Sequence, residues 1–259
     1  MSESLISASR TYTEYPKLDI VHMHAHESYE IYCFLSGNAK YSVEGNFYDL
    51  KPGDILIMKR AEVHSLIIKS PVPYDRCVVN FHPESLLGNE TEDLMRFINE
   101  RPLGKFNRFA ASVFKQKNWL YYIEKIISSD YPEQRVYLTV LLTELKNAYP
   151  QIKTKEEKNE NFSNIISFIN EHLTEKITLE DICRFSFLSK SQLNRKFKAV
   201  TGTTAWDYVT VKRLMLAKEL LSKKHRPTTV YLECGFSDYS TFYRAYKSKF
   251  GSSPAEDFK

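Results

Sequence analysis

The chain has 259 residues, of which 42% are hydrophobic and 26% charged, with a formal net charge of +4. That length accommodates two domains, and no apolar run is long enough to span a bilayer. The first residues, Met1 to Ser7, lack a basic head followed by an apolar run, which excludes a signal peptide and leads us to expect a cytoplasmic protein.

Four scattered cysteines (Cys33, Cys77, Cys183, Cys234) show no CxxC spacing, so neither a zinc cluster nor a disulfide framework is expected. Charge is unevenly placed. Residues 162–259 hold 16 Lys and Arg against 10 Asp and Glu, while 1–161 hold 20 against 22. A basic tail on a mildly acidic head suits nucleic-acid binding by one half of the chain.

In chain order, Tyr12 and Tyr15 stand on an N-terminal arm expected to close over a pocket. From about Asp19 to Phe81 the pattern reads as strands. Alternation runs through Glu30–Leu35, Ala39–Glu44, Asn46–Leu50, Asp54–Met58 and Tyr74–Phe81. Turn signals fall between them at Gly37-Asn38, Gly45-Asn46, Pro52-Gly53 and Pro71-Val72-Pro73. Many short strands with tight turns predict a β-sandwich or a β-barrel of jelly-roll type over 1–83.

From 84 to 150 the pattern is helical, near 84–98, 115–128 and 133–148, with Val136, Val140, Leu141 and Leu145 at helical spacing. This stretch is expected to act as a connector. Residues 151–161, charged and apolar-poor, read as a linker. Six helices then follow over 162–259, near 162–173, 178–185, 189–200, 204–222, 228–233 and 238–250. Thr178 and Ser189 stand as N-caps, and Gly202 and Gly251 fall just past helix ends. The fold class expected is α+β multidomain, a β-barrel with a helical segment followed by an all-α domain.

A helix, a short turn and a second helix occur at Ile177–Val200 and recur at about Thr228–Phe250. Tandem helix-turn-helix units suit two neighbouring stretches of one DNA groove. On the second helix of the first copy Leu193, Phe197 and Val200 fall on one face and are expected to be core. Ser191, Asn194, Arg195 and Lys198 fall opposite. Asn pairs with adenine and Arg with guanine in the major groove, while Lys suits phosphate. In the second copy Phe242, Tyr246 and Phe250 form the buried stripe, and Tyr239, Ser240, Tyr243 and Arg244 the outer side.

The segment Gly235-Phe236-Ser237-Asp238-x-Ser240-x-Phe242-x-Arg244-x-x-Lys247-x-x-x-Gly251-x-Ser253-Pro254 resembles the signature of AraC-type transcription regulators. In the first copy Ile177–Ile182, Ser189, Leu193, Arg195, Phe197, Lys198, Gly202, Tyr208, Arg213, Ala217 and Leu220-Leu221 agree with it. The resemblance covers about 98 residues. It implies two helix-turn-helix subdomains bridged by the helix near 204–222, suitably long for a groove period of about 34 Å. It further implies base reading by Ser191, Asn194, Arg195, Tyr239, Ser240, Tyr243 and Arg244, and phosphate contacts from Ser189, Lys198, Thr203, Lys247 and Ser253. It also implies that the helical stretch over 84–150 is the dimerisation segment, with contacts near 115–148. Tyr231 stands where the family has Ala, and the His225-Arg226-Pro227 stretch is about one residue short, so a tilt of the second reading helix is expected.

In the first half His22, His24 and His26 lie on alternate positions. His24-x-His26-x-x-x-Glu30, with Gly37, resembles the first cupin motif, and Gly53-Asp54 with His64 resembles a second one that has lost its Pro and Gly. The same arrangement recurs in AraC-type sensor domains, where it implies small-molecule binding. His24, His26, Glu30, Tyr32, Tyr41 and His64 are the expected effector-binding residues, and a sugar or related carbon source the expected effector. No cofactor is expected; if a metal binds, His24, His26, Glu30 and His64 are its ligands. The function expected is a homodimeric, effector-controlled regulator that binds double-stranded DNA and is not an enzyme. The competing reading is a metal-dependent cupin enzyme fused to a DNA-binding domain.

Overall fold

The computed structural model describes residues 5–18, 23–89, 91–114, 118–153 and 160–258. The chain divides into two compact units. The first comprises 1–20, 28–62 and 66–158. The second joins 159–259 with two short segments from the front of the chain, 21–27 and 63–65.

The first unit carries β1 (Ile6–Thr13), β2 (Tyr29–Ser36), β3 (Ala39–Val43), β4 (Asn46–Asp49), β5 (Ile55–Met58), β6 (His64–Ile68, which enters from the second unit's segment), β7 (Tyr74–Phe81) and β8 (Arg108–Phe109). Helices α1 (Thr91–Asn99), α2 (Asn118–Ser128) and α3 (Tyr131–Lys153) follow or flank them. One sheet has the order β1-β7-β2-β5-β8 and the other β4-β3-β6. Ile6–Thr13 is thus an edge strand paired antiparallel along its length to β7, not a free arm. Tyr12 and Tyr15 are exposed.

Strand β2 is buried on both faces, which explains its apolar run. Ile31 and Cys33 join Ile55, Ile57, Val79 and Phe81 in a core shared with Ile98 of α1, Ile123 and Ile126 of α2, and Leu138, Leu141 and Leu145 of α3. Tyr32 and Phe34 point the other way, into a core with Tyr41, Val43, Tyr48, Leu56, Met58 and Leu66. The helices over 84–150 therefore complete the sheet unit and are not a separate segment. Leu141 and Leu145 are buried as expected, but Val136 and Val140 face solvent.

Beneath the β5–β6 turn lies an ion pair, Arg101 to Glu62 at 2.5 Å, both side chains fully buried. Burial alone would raise the Glu62 carboxyl. The charge and hydrogen bonds of Arg101, with N–H groups of Gly104 and Lys59, outweigh it and hold the carboxyl below its ordinary value.

The second unit is helical: α4 (Glu160–Glu171), α5 (Leu179–Ser186), α6 (Lys190–Thr201), α7 (Ala205–Ser222), α8 (Pro227–Glu233), α9 (Tyr239–Phe250) and α10 (Pro254–Asp257). The six expected helices are present within two residues at each end, and α10 is additional. Of the expected linker, 151–153 continue α3, 160 and 161 begin α4, and the remainder lies outside the described residues.

Candidate nucleic-acid interface and ligand site

Local chemistry sets α6 and α9, the two helices expected to read DNA. Thr178 and Ser189 each form a capping box, accepting from the backbone N–H of Asp181 and Gln192 while those side chains return to the cap N–H. Asp238 caps α9 by accepting from Thr241 N–H at 2.7 Å. Gly202 and Gly251 close α6 and α9 in the left-handed conformation, φ 76° and 75°. Burial of Leu193, Phe197 and Val200 fixes the roll of α6, and burial of Phe242 and Tyr246 that of α9.

On α6 the outward residues are Ser191, Arg195 and Lys198, with Lys196 beside them. Lys196 was not among the expected contacts, although it is a basic residue standing between Arg195 and Lys198 in the sequence. Asn194 departs from expectation. It is half-buried, and its carboxamide oxygen accepts from Ala205 N–H at 3.2 Å, tying α6 to the start of α7. Position 194 borders the apolar stripe, so its side chain is drawn to the neighbouring helix rather than outward. On α9 Tyr239, Ser240, Arg244 and Lys247 are exposed, while Tyr243 is half-buried beside Tyr239.

Ser189 is exposed and Ser253 half-buried; both are already engaged as caps, and Thr203 is half-buried against Thr201. Tyr231 fills the space between α8 and α9, its ring 5.7 Å from Tyr239 and 6.4 Å from Phe242. The Gly235 backbone, at φ +83°, lies under the Arg213 guanidinium, which donates to the carbonyls of Leu173 and Glu175.

In the front half, two segments are joined by reciprocal backbone bonds between His24 and His64, both 3.0 Å. The His24 and His64 rings lie 4.3 Å apart edge-to-face, and His26 lies 5.1 Å from His64. Donor atoms of His24, His26, Glu30 and His64 all fall within 4.8 Å of one another. Three imidazoles and a carboxylate are the donor set of a divalent transition metal such as zinc or iron, and unsuited to calcium or magnesium. The residues therefore fit the metal that the cupin-like motif implies. His22 lies outside the described residues.

Tyr41 donates to Glu30 at 3.2 Å, and Tyr32 pairs with Tyr74 through their hydroxyls. All four are buried. Desolvation, reinforced by the Glu30 charge, raises the Tyr41 phenol well above its usual value. Burial likewise raises Tyr32, so both remain protonated donors. Tyr74 and Arg76 join this buried polar group; sequence spacing alone did not mark them.

Comparisons with known proteins agree with this geometry. Residues 182–259 match a helix-turn-helix domain and residues 8–102 an AraC-like ligand binding domain. The regulatory protein SoxS of Escherichia coli is 30% identical over 93 residues, 36% of this chain and 87% of SoxS. This chain belongs to the AraC family of transcription regulators. Among other AraC-family matches, YbfI of Bacillus subtilis, an HTH-type transcriptional regulator, is 24% identical over 223 residues, 84% of this chain and 79% of YbfI. LumQ of Photobacterium leiognathi, a probable transcriptional regulator, is 33% identical over 111 residues. That match spans 42% of this chain and 45% of the length of LumQ.

Proposed function

We propose that the chain is a sequence-specific DNA-binding regulator whose helical unit reads two successive stretches of duplex and whose sheet unit receives a controlling ligand. The observation that carries this reading is the pair of capped helices, α6 and α9, each with one face locked in the core and a polar, cationic face left outward. Arg195 and Arg244 are the base readers, helped by Ser191, Ser240 and Tyr239. Lys198, Lys247 and Lys196 meet phosphates, together with backbone N–H groups at the helix starts.

Selection of a binding site from random duplex DNA tests this directly. Arg195→Ala and Arg244→Ala are expected to cost about 1–3 kcal/mol at the selected site and to relax sequence preference. Full affinity and specificity in both variants would sink the assignment. Lys198→Ala is expected to weaken all sequences alike and to lower the salt dependence by about one unit.

The ligand site we propose comprises His24, His26, Glu30 and His64, with Tyr32 and Tyr41 behind them. The lining suits a hydroxyl-rich molecule such as a sugar, and a thermal-shift screen of sugars tests that class. We further propose a cytoplasmic homodimer formed through the face of α2 and α3 that exposes Tyr121, Val136 and Val140. Sedimentation of Val136→Lys/Val140→Lys is the check, with a shift to monomer expected. The metal fit favours one second reading, an enzyme. Turnover of a substrate by metal-loaded protein that is unchanged in Arg195→Ala would favour it over regulation.

A further inference from the structure

We infer that the outer edge of β1 pairs with the same edge of a second copy of the chain, antiparallel about a two-fold axis at Thr11, so that two sheets become one. This contact goes beyond the α2 and α3 face proposed above and uses different residues, all of them in the sheet unit.

An unpaired sheet edge is a template for another strand. Among the described residues the smaller sheet ends in β4, with four residues, and β6, with five, while the larger ends on one side in β8, with only two. At its other side β1 has eight, longer than the usual strand of about five or six. It pairs with β7 without a bulge and contains neither proline nor lysine, so the common guards of an edge are missing. Its one charged side chain, Arg10, is turned to Asp75 of β7 at 2.7 Å.

The direction of the backbone groups follows from one bond. His82 N–H donates to the Leu5 carbonyl at 3.0 Å, in register with the β1–β7 ladder, so Leu5 faces β7. Peptide groups alternate along a strand. Ser7, Ser9, Thr11 and Thr13 therefore face β7 as well, and Ala8, Arg10 and Tyr12 present N–H and C=O outward. None of these outward groups has a hydrogen-bond partner among the described residues.

Charge selects the register, and with it the occupant. Two identical strands centred on Arg10 would set one guanidinium against the other, a like-charge pair. Centred on Ser9, Arg10 would meet only the partner's Ala8. Centred on Thr11, Arg10 stands opposite the partner's Tyr12 and diagonal to the partner's Glu14, while the two Thr11 side chains meet. A cation on a ring, a cation beside a carboxylate and a Thr–Thr pair are each favourable across strands. Thr11, Tyr12 and Glu14 are exposed, and Arg10 keeps 50% of its side-chain surface exposed beside Asp75. The edge is complementary to itself in backbone and in charge, which argues for a second copy over an unrelated strand.

Sedimentation of the full chain over a range of concentrations is expected to show a dimer. Tyr12→Pro removes an outward N–H and leaves the β7 ladder intact, and should raise the dissociation constant at least about tenfold. Thr11→Lys and Thr11→Glu should each weaken pairing, and an equal mixture of the two should restore it as a heterodimer. All variants are checked for native circular dichroism and melting. In a Cys183→Ser background, Thr11→Cys should cross-link to itself under mild oxidation, because the two Cα atoms would lie about 4.5 Å apart. Ser9→Cys should not, since position 9 faces position 13. A wild type that stays monomeric at the highest concentration leaves the edge to a different strand and overturns the inference. So does a dimer unmoved by Tyr12→Pro and both charged variants, or one lost only in Val136→Lys/Val140→Lys. A mixture of the charged variants that stays monomeric, or cross-linking through Ser9→Cys but not Thr11→Cys, overturns the two-fold at Thr11.

Discussion

Glu62 and Arg101 show how much a single buried pair can govern. Arg101 donates two bonds to the carboxylate and one to the Ile57 carbonyl, and Asn107 closes the same group. Arg101→Met leaves Glu62 buried without its counter-charge, and the expected cost is about 3–5 kcal/mol in a urea melt. Restoring an apolar residue at both positions should recover much of that loss, since neither charge then needs solvation. The cysteines give a second residue-scale prediction. Burial raises the Cys33 thiol, pushes Cys77 up to about 11 and Cys234 up to about 12. All three are buried, and Cys183 is half-exposed. A thiol reagent at neutral pH is expected to label Cys183 in the folded protein and the other three only on unfolding. The buried group of Glu62, Arg101 and Asn107 was not legible beforehand. Glu62, Arg101 and Asn107 are up to 45 residues apart, and no spacing rule joins them. The histidines were legible because two of them share one short segment.

At the scale of elements, the helical unit was nearly readable from sequence because its signals are local. A cap, an apolar stripe and a closing glycine all fall within the stretch Ser189–Gly202 for α6 and again within Asp238–Gly251 for α9. Ser189→Ala should therefore cost about 1 kcal/mol, measured by thermal melting, through loss of one cap bond. The glycines behave differently from one another. A Cβ at Gly251 meets nothing within 4 Å, whereas at Gly235 it meets the Leu173 carbonyl at 2.8 Å and Arg213 at 2.9 Å. Both substitutions to Ala strain a positive φ, but Gly235→Ala should lower the melting point further because it also displaces the guanidinium. Strand β1 escaped notice for the opposite reason. Only Ile6 of its eight residues is buried, so it has no periodic signal and exists through pairing with β7. Strand β2 was found, but its two-sided burial was not, because alternation cannot show that helices cover the second face.

For the whole molecule, acid is the condition that most directly tests the electrostatics. Glu62 and Asp257 both have folded-state values below the ordinary carboxylate range. For Asp257, burial acts upward, and hydrogen bonds from Tyr246, Lys218 and Ser252 outweigh it. A depressed folded value means that the stabilisation is fully present above the unfolded value and disappears as pH falls through the folded one. The urea midpoint should accordingly be flat near neutrality and fall as pH drops below the ordinary carboxylate range. Unfolding in that window should take up protons. A midpoint that stays level down to strong acid would show that neither carboxylate is held as described. No helix among the described residues is long and apolar enough to cross a membrane.

The last carbonyls of a helix normally find a cap from the residues just beyond it. In α6 two of them, on Val200 and Thr201, are met by Ser65 and Met23, more than 130 residues earlier. This arrangement has a genetic consequence. A screen for loss of promoter control should recover alleles at Ser65 and around Met23 as readily as on the reading helix itself. Such alleles would map to the front of the gene yet show the phenotype of a DNA-contact mutation. Suppressors of them are expected in the last turn of α6, where the same bonds end.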